Sequence, residues 1–252
     1  VLGEMRLIKS TAEINIMRRV GEISANAHKK VMQAAPTCEY EYQLQAKLNF
    51  ELMNNGCQQV AYDSIVASGA NACILHYTAN KDFLADDELI LIDAGGELEN
   101  YAADITRTFP KKGKFTESQK AIYQIVLDAQ VAGIALIKPG VLWPKIQEKM
   151  VEIIARGLLE LGLLDGSLED VLKDKSYQKF YMHNSGHWLG LDVHDQGAYK
   201  ENGQWRALKE GMVLTVEPGI YIADHHQEID SRWHNIGVRI EDDILVTKDG
   251  YE

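Results

Sequence analysis

Residues 88–110 read ELILIDAGGELENYAADITRTFP. Glu88 to Asp93 is a short, continuous apolar run of strand type, and Tyr101 to Phe109 is a second extended segment. A turn centred on Leu98 and Glu99 sets Asp93 directly opposite Asp104, unless Gly95 and Gly96 introduce a bulge. Directly opposed residues have Cβ atoms about 5 Å apart, and like charges there are destabilising. Two carboxylates that close, beside an apolar strand, need a shared proton or a cation between them. The plainer alternative makes one Asp a turn residue and the other a solvated surface charge. A cation becomes the better account only if more ligands converge.

More ligands are available downstream. HNSGHWLGLDVHD, residues 183–195, places His183, His187 and His194 in a Gly-punctuated apolar segment. A lone histidine there is usually a satisfied core residue, but three together are harder to dismiss. Glu217 ends the otherwise uncharged run Met212 to Val216, and Glu241 alternates with Arg239 along GVRIEDDILVT, residues 237–247. A buried unpaired carboxylate is costly, so both glutamates want a partner. An ion pair with arginine is the simple answer, and Arg239 and Glu241 would project from one face of a strand. Taken together, Asp93, Asp104, Glu217 and Glu241 carry four negative charges that two divalent cations would balance. Carboxylate-rich sites with an imidazole favour hard or borderline ions, Mn²⁺ first, with Co²⁺, Zn²⁺ or Fe²⁺ possible. Two such ions about 3.5–4 Å apart can activate water and polarise a carbonyl.

Around this centre the chain repeats its order of elements. Ser10 and Glu13 form a capping box, followed by an apolar stripe at Ile16, Val20, Ile23, Ala27 and Val31. A second helix spans about residues 39–55, with Gly56 as its stop, and extended segments follow over 59–109. Thr116 with Gln119 opens a third helix, Pro144 suits the first turn of a fourth, and from Phe180 the chain reads as extended again. Two helices then strands, twice over, suggest an internal duplication around one sheet, and without a low-complexity linker residues 1–252 read as a single domain.

Composition narrows the functions. With 46% hydrophobic and 25% charged residues the chain is an ordinary globular one. A net charge of −11 without a dense Lys/Arg block argues against nucleic acid. No stretch approaches the ~20 apolar residues of a membrane helix, and no signal peptide opens the chain. Cys38, Cys57 and Cys73 contain no CxxC pair, which fits a reducing cytoplasm. The opening Val1 and abrupt end at Glu252 suggest an excised domain.

The ordered set Asp93, Asp104, His187, Glu217 and Glu241, in the contexts IDAGGE, ADITRTFP, GHWLGLDVHD, TVEPG and RIEDD, resembles the five-ligand dinuclear site of the pita-bread metallopeptidases. The resemblance runs from about Met5 to Glu252. HWLGLDVHD and ILHYT (residues 74–78) resemble the proline-specific branch of aminopeptidase P and prolidase, and EMRLIKSTAEINIMRR and FYMHNSGHWLG are most similar to bacterial aminopeptidase P. What this implies is an α+β pita-bread fold, two pseudo-symmetric αβ halves around a curved, mainly antiparallel sheet. The implied activity is removal of an N-terminal residue that stands before proline. By the same resemblance Asp93 chelates one metal, His187 and Glu217 bind the other, and Asp104 and Glu241 bridge the pair. Glu217 also moves a proton, His76 and His194 stabilise the oxyanion, His183 lines the proline side, and Arg239 steadies the site. Peptides with proline second are the implied substrates, and a homo-oligomer is implied for the longer parent. The chain departs from the family in lacking its N-terminal domain and in reading NSGH where GLSH is expected. Prolidase activity on X-Pro dipeptides is the near alternative. A non-catalytic binding module of the same fold, or a metal-free hydrolase of the creatinase kind, fits poorly with five ligands present.

Overall fold

In the computed structural model, which describes residues 1–252, a short helix α1 (Leu2–Leu7) precedes a long one, α2 (Thr11–Ala34). The expected capping box opens α2: the Glu13 N–H donates to the Ser10 hydroxyl, and the Ser10 N–H donates to the Glu13 carboxylate at 2.7 Å. Val20, Ala27 and Val31 of its apolar stripe are buried, with Ile16 and Ile23 half-buried at the margin. They pack against Leu44, Leu48 and Leu52 of α3 (Glu41–Asn54), each such side chain contributing about 1.5–3 kcal/mol by leaving water. Gly56, at φ +109°, stops α3 as expected.

Short strands follow: β1 (Gln59–Val60), β2 (Ile65–Ser68), β3 (Leu89–Asp93), β4 (Gly96–Leu98), β5 (Tyr101–Ala102) and β6 (Thr106–Pro110). The second half begins with α4 (Glu117–Ala135), capped by Thr116 and Gln119, and α5 (Trp143–Glu160), with Pro144 in its first turn. Then come α6 (Leu168–Asp174) and six strands: β7 (Lys200–Glu201), β8 (Gln204–Trp205), β9 (Val213–Val216), β10 (Gly219–Ile222), β11 (Ile236–Arg239) and β12 (Asp242–Leu245). Each half owns a core, one formed by α2 and α3 against β2–β3, the other by α4 and α5 against β9–β12. The strands form five small antiparallel sheets, and an isolated bridge between Thr106 and Glu241 joins the halves. No helix is long and apolar enough to cross a membrane.

Two sequence expectations need correction. The hairpin turns at Glu99–Asn100, not at Leu98–Glu99, and Leu98 pairs with Tyr101. Both turn residues have positive φ, 51° and 68°, as a mirror-image two-residue turn demands. Asn tolerates that conformation far better than Leu would. Asp93 therefore pairs with Thr106 instead of Asp104, and the two aspartates become diagonal neighbours on one face. Second, residues 182–198 are extended only in part. They run beside β9 through bonds such as Thr215 N–H to His187 O and Leu189 N–H to Val213 O, then leave it in bends.

Candidate metal centre

The donor side chains come from places where regular pairing ends. Asp93 closes β3, Asp104 lies between β5 and β6, Glu217 follows β9, and Glu241 joins β11 to β12. His187 comes from the loop that borders β9. Asp104, His187 and Glu241 each offer a ligand atom within 4.8 Å of the other two. The His187 Nε2 lies 3.3 Å from Asp104 Oδ2 and 3.6 Å from Glu217 Oε1. Its Nδ1–H donates to the Trp188 carbonyl at 3.0 Å, which leaves Nε2 as the free ligand nitrogen.

Two close approaches make this convergence possible. A Cβ on Gly95 would stand 1.7 Å from the Ala103 carbonyl oxygen, and one on Gly186 would stand 2.1 Å from the Thr215 carbonyl oxygen. The first lets the hairpin close beside Asp104, and the second seats the His187 loop on β9.

Asp93 sits slightly apart, held by its own partners. The cation expected to offset Glu241 goes to it instead: Arg239 Nη2 donates to Asp93 Oδ2 at 2.6 Å. Arg239 also donates to Tyr221 Oη at 3.0 Å and to Thr106 Oγ1 at 3.2 Å. Thr106 in turn donates to Glu241 Oε2 at 2.5 Å. Glu241 is thus buried at 1% exposure with a hydroxyl, not a cation, as its partner.

Burial, with Asp104, Glu217 and Asp93 adding negative charge, pushes the Glu241 carboxyl well above the ordinary range. Burial raises Asp104 too, helped by Asp93, and lifts Glu217 to about 7. At His187 burial opposes the charge, but Asp104 and Glu217 outweigh it and raise the imidazole to about 9. The cluster therefore holds protons until a cation replaces them. Four carboxylates and one imidazole, with only Asp93 ion-paired to an arginine, are a donor set that fits divalent metal.

The remaining expected residues line the same cavity of about 1040 Å³. His194 is exposed, its ring 4.3 Å from that of His187, and burial and the His187 charge lower its pKa. His183 donates through Nδ1 to the Asn184 carbonyl and accepts from the Tyr221 hydroxyl at 2.8 Å. Burial and Arg239 lower it to about 4, so it is neutral. His76 is exposed on the cavity wall between Leu75 and the buried Tyr77.

Three polar groups had no sequence signal. Tyr62 donates its hydroxyl to both Asp93, at 2.6 Å, and Asp104. Tyr221 ties His183 to Arg239. Asp243 accepts the Asp104 backbone N–H at 3.1 Å and fixes that residue from behind. Such contacts arise from residues far apart in sequence, so spacing does not announce them.

Residues 15–248 match the profile of metallopeptidase family M24. A Xaa-Pro aminopeptidase of Escherichia coli is 45% identical over 252 residues, which is 100% of this chain and 57% of the relative. One of Haemophilus influenzae is 46% identical over 250 residues, 99% of this chain and 58% of the relative. A solved aminopeptidase structure from Pseudomonas aeruginosa superposes with a TM-score of 0.96 at 49% identity, covering 100% of this chain and 57% of that one. The chain thus spans less than two thirds of the length of these relatives, and its fold is theirs: α+β, of pita-bread type.

Proposed function

The chain belongs to metallopeptidase family M24, and from that premise we propose that it is the catalytic part of an exopeptidase that hydrolyses the bond between an N-terminal residue and a following proline. The observation that carries the reading is the meeting of His187 Nε2 with Asp104 and Glu217 at 3.3 and 3.6 Å, beside the buried Glu241, in a cavity of about 1040 Å³. Asp93, Asp104, His187, Glu217 and Glu241 would hold two divalent ions, Mn²⁺ before Co²⁺, Zn²⁺ or Fe²⁺. When bound, the metal supplies Lewis-acid polarisation of the scissile carbonyl and makes water a nucleophile at neutral pH.

The chain's own groups do the rest. Glu217, beside His187 at 3.6 Å, is placed to take a proton from the attacking water and pass it to the leaving nitrogen. His76 and His194 each aim an imidazole N–H at the oxyanion that develops on the carbonyl. His183, kept neutral and oriented by Tyr221, borders the proline ring. A proline nitrogen carries no hydrogen, so this wall needs shape more than a hydrogen-bond acceptor. Arg239 holds Asp93 in place and is committed there.

That commitment favours an aminopeptidase over a prolidase, because Arg239 is not free to bind a dipeptide carboxylate. The cavity's other cation, Lys200, stands at the rim with Nζ 4.5 Å over the Trp205 ring. Peptides are the proposed partners, since a net charge of −11 disfavours nucleic acid. A homo-oligomer is proposed for the longer protein. The free Cys38, Cys57 and Cys73 suit a reducing cytoplasm. The test compares Xaa-Pro-Yaa, Xaa-Ala-Yaa and Xaa-Pro under one metal loading, with metal content by elemental analysis. The tripeptide with proline should be cut fastest, at about two metals per chain. Faster cleavage of the dipeptide moves the reading to prolidase and to Lys200, and equal cleavage of the alanine peptide removes the proline claim.

A further inference from the structure

Glu41 is a second fully buried carboxylate, outside the metal centre and with no cation paired to it. It occupies the first turn of α3, where free N–H groups and the helix dipole favour an anion. Its Oε1 accepts from the Ser68 N–H at 2.9 Å and Asn71 Nδ2 at 3.0 Å. Its Oε2 accepts from the Tyr77 hydroxyl at 2.8 Å and the Asp82 N–H at 3.0 Å. All four donors belong to residues 68–82, the segment that carries His76. A further tie lies beyond His76: Asn80 accepts from the Val66 N–H at 2.9 Å and donates to the Ser64 carbonyl at 2.7 Å. The His76 ring itself has no protein hydrogen-bond partner, so its place is set by the backbone on either side.

We propose that Glu41 is a positioning residue: through Tyr77 and the 68–82 backbone, its carboxylate fixes where the His76 imidazole meets the substrate. The assignment of His76 to the oxyanion rests on the function proposed above. The placement itself does not. Every group facing Glu41 is a donor, and only an ionised carboxylate offers acceptor sites to all four. An amide in its place turns an NH₂ toward one of the two donor pairs, so the backbone N–H of Ser68 or of Asp82 loses its partner. The segment would then relax, and a misplacement of ~1 Å at the reacting atoms costs about 10²-fold in rate.

Glu41→Gln in the metal-loaded protein should retain its metal and lower kcat on an X-Pro peptide by about 10-fold or more, with KM moving less than about 3-fold. In the His76→Ala background the same change should lower kcat by no more than about 2-fold, because both substitutions act through one group. Tyr77→Phe removes a single bond, so it should give a smaller loss of the same kind, and it carries the cycle should Glu41→Gln not fold. Ring signals of the histidines by NMR give a readout independent of turnover: Glu41→Gln should shift and broaden His76, identified by its absence in His76→Ala, and spare His183 and His187. Losses that multiply in the double variant, or a His76 signal that does not move, overturn the proposal. If the unmodified protein does not cut X-Pro peptides, the functional reading fails and the His76 signal alone decides the placement.

Discussion

Glu241 accepts the Thr106 hydroxyl on one oxygen, faces Asp104 and His187, and has no cation of its own. Its substitution therefore removes a proposed ligand without freeing a paired arginine, because Arg239 stays on Asp93. Glu241→Ala or Asp104→Ala should lower metal occupancy and abolish turnover, as read by elemental analysis beside an X-Pro assay. Full activity in either variant would sink the ligand assignment. His194 and His76 are cavity groups of another kind, solvent-exposed at the wall, so His194→Ala and His76→Ala should keep the metal. Each should cut kcat by about 10²–10³, the usual cost of one oxyanion donor. Loss of metal in either would show that ligand and helper have been exchanged. At the scale of single residues the sequence was informative about which side chains meet in the cavity, because a carboxylate or imidazole in an apolar strand is conspicuous. It said nothing of Tyr62 or Asp243, whose residue types are ordinary in their local context and become meaningful only by what they touch.

The hairpin β4–β5 shows where local sequence falls short. The pattern of apolar and polar residues located the strands, but register depends on which two residues take the turn. Asn100 tolerates a positive φ and Leu98 does not, and that moved the pairing so that Asp93 faces Thr106. The aspartates still share a face, since the shift spans two residues of pairing and strand faces alternate with a period of two. Gly95 is the element's weak point. A Cβ there meets a backbone carbonyl, which cannot rotate away as a side chain could. Gly95→Ala should cost about 1–3 kcal/mol in thermal or denaturant unfolding and weaken metal binding, because it pries Asp93 from Asp104. Replacing Glu99 with Asn and Asn100 with Gly should do the opposite. That turn is already bent for them, and a gain of about 0.5–1 kcal/mol with unchanged metal affinity is expected. A destabilised double variant would contradict the turn assignment.

Across the whole molecule the metal centre couples stability to pH. Glu217 has its folded pKa raised to about 7 from an ordinary 4.5, and His187 to about 9 from 6.5. Both bind more protons folded than unfolded, so each contributes stability at lower pH that is lost as pH rises through its folded value. Below about 6.5 the buried neutral His28 and His183, pushed down to about 4, work in the other direction. Between about pH 7 and 9, His187 dominates this group. The metal-free protein should therefore lose Tm over that range, whereas the metal-loaded protein should hold it, since metal takes the place of the protons. A metal-free Tm that climbs from pH 7 to 9 would refute the proton-holding cluster. The two-half architecture was legible from the sequence, because helix caps and hydrophobic period are local properties that repeat in each half. The residues that converge on the cavity were legible too, since residue chemistry does not depend on folding. Only the tertiary structure decided the hairpin register, the choice of Asp93 over Glu241 by Arg239, and the ties of Tyr62, Asp243 and Glu41. These depend on which distant backbones meet, and the Thr106–Glu241 bridge that joins the halves brings together residues 135 positions apart.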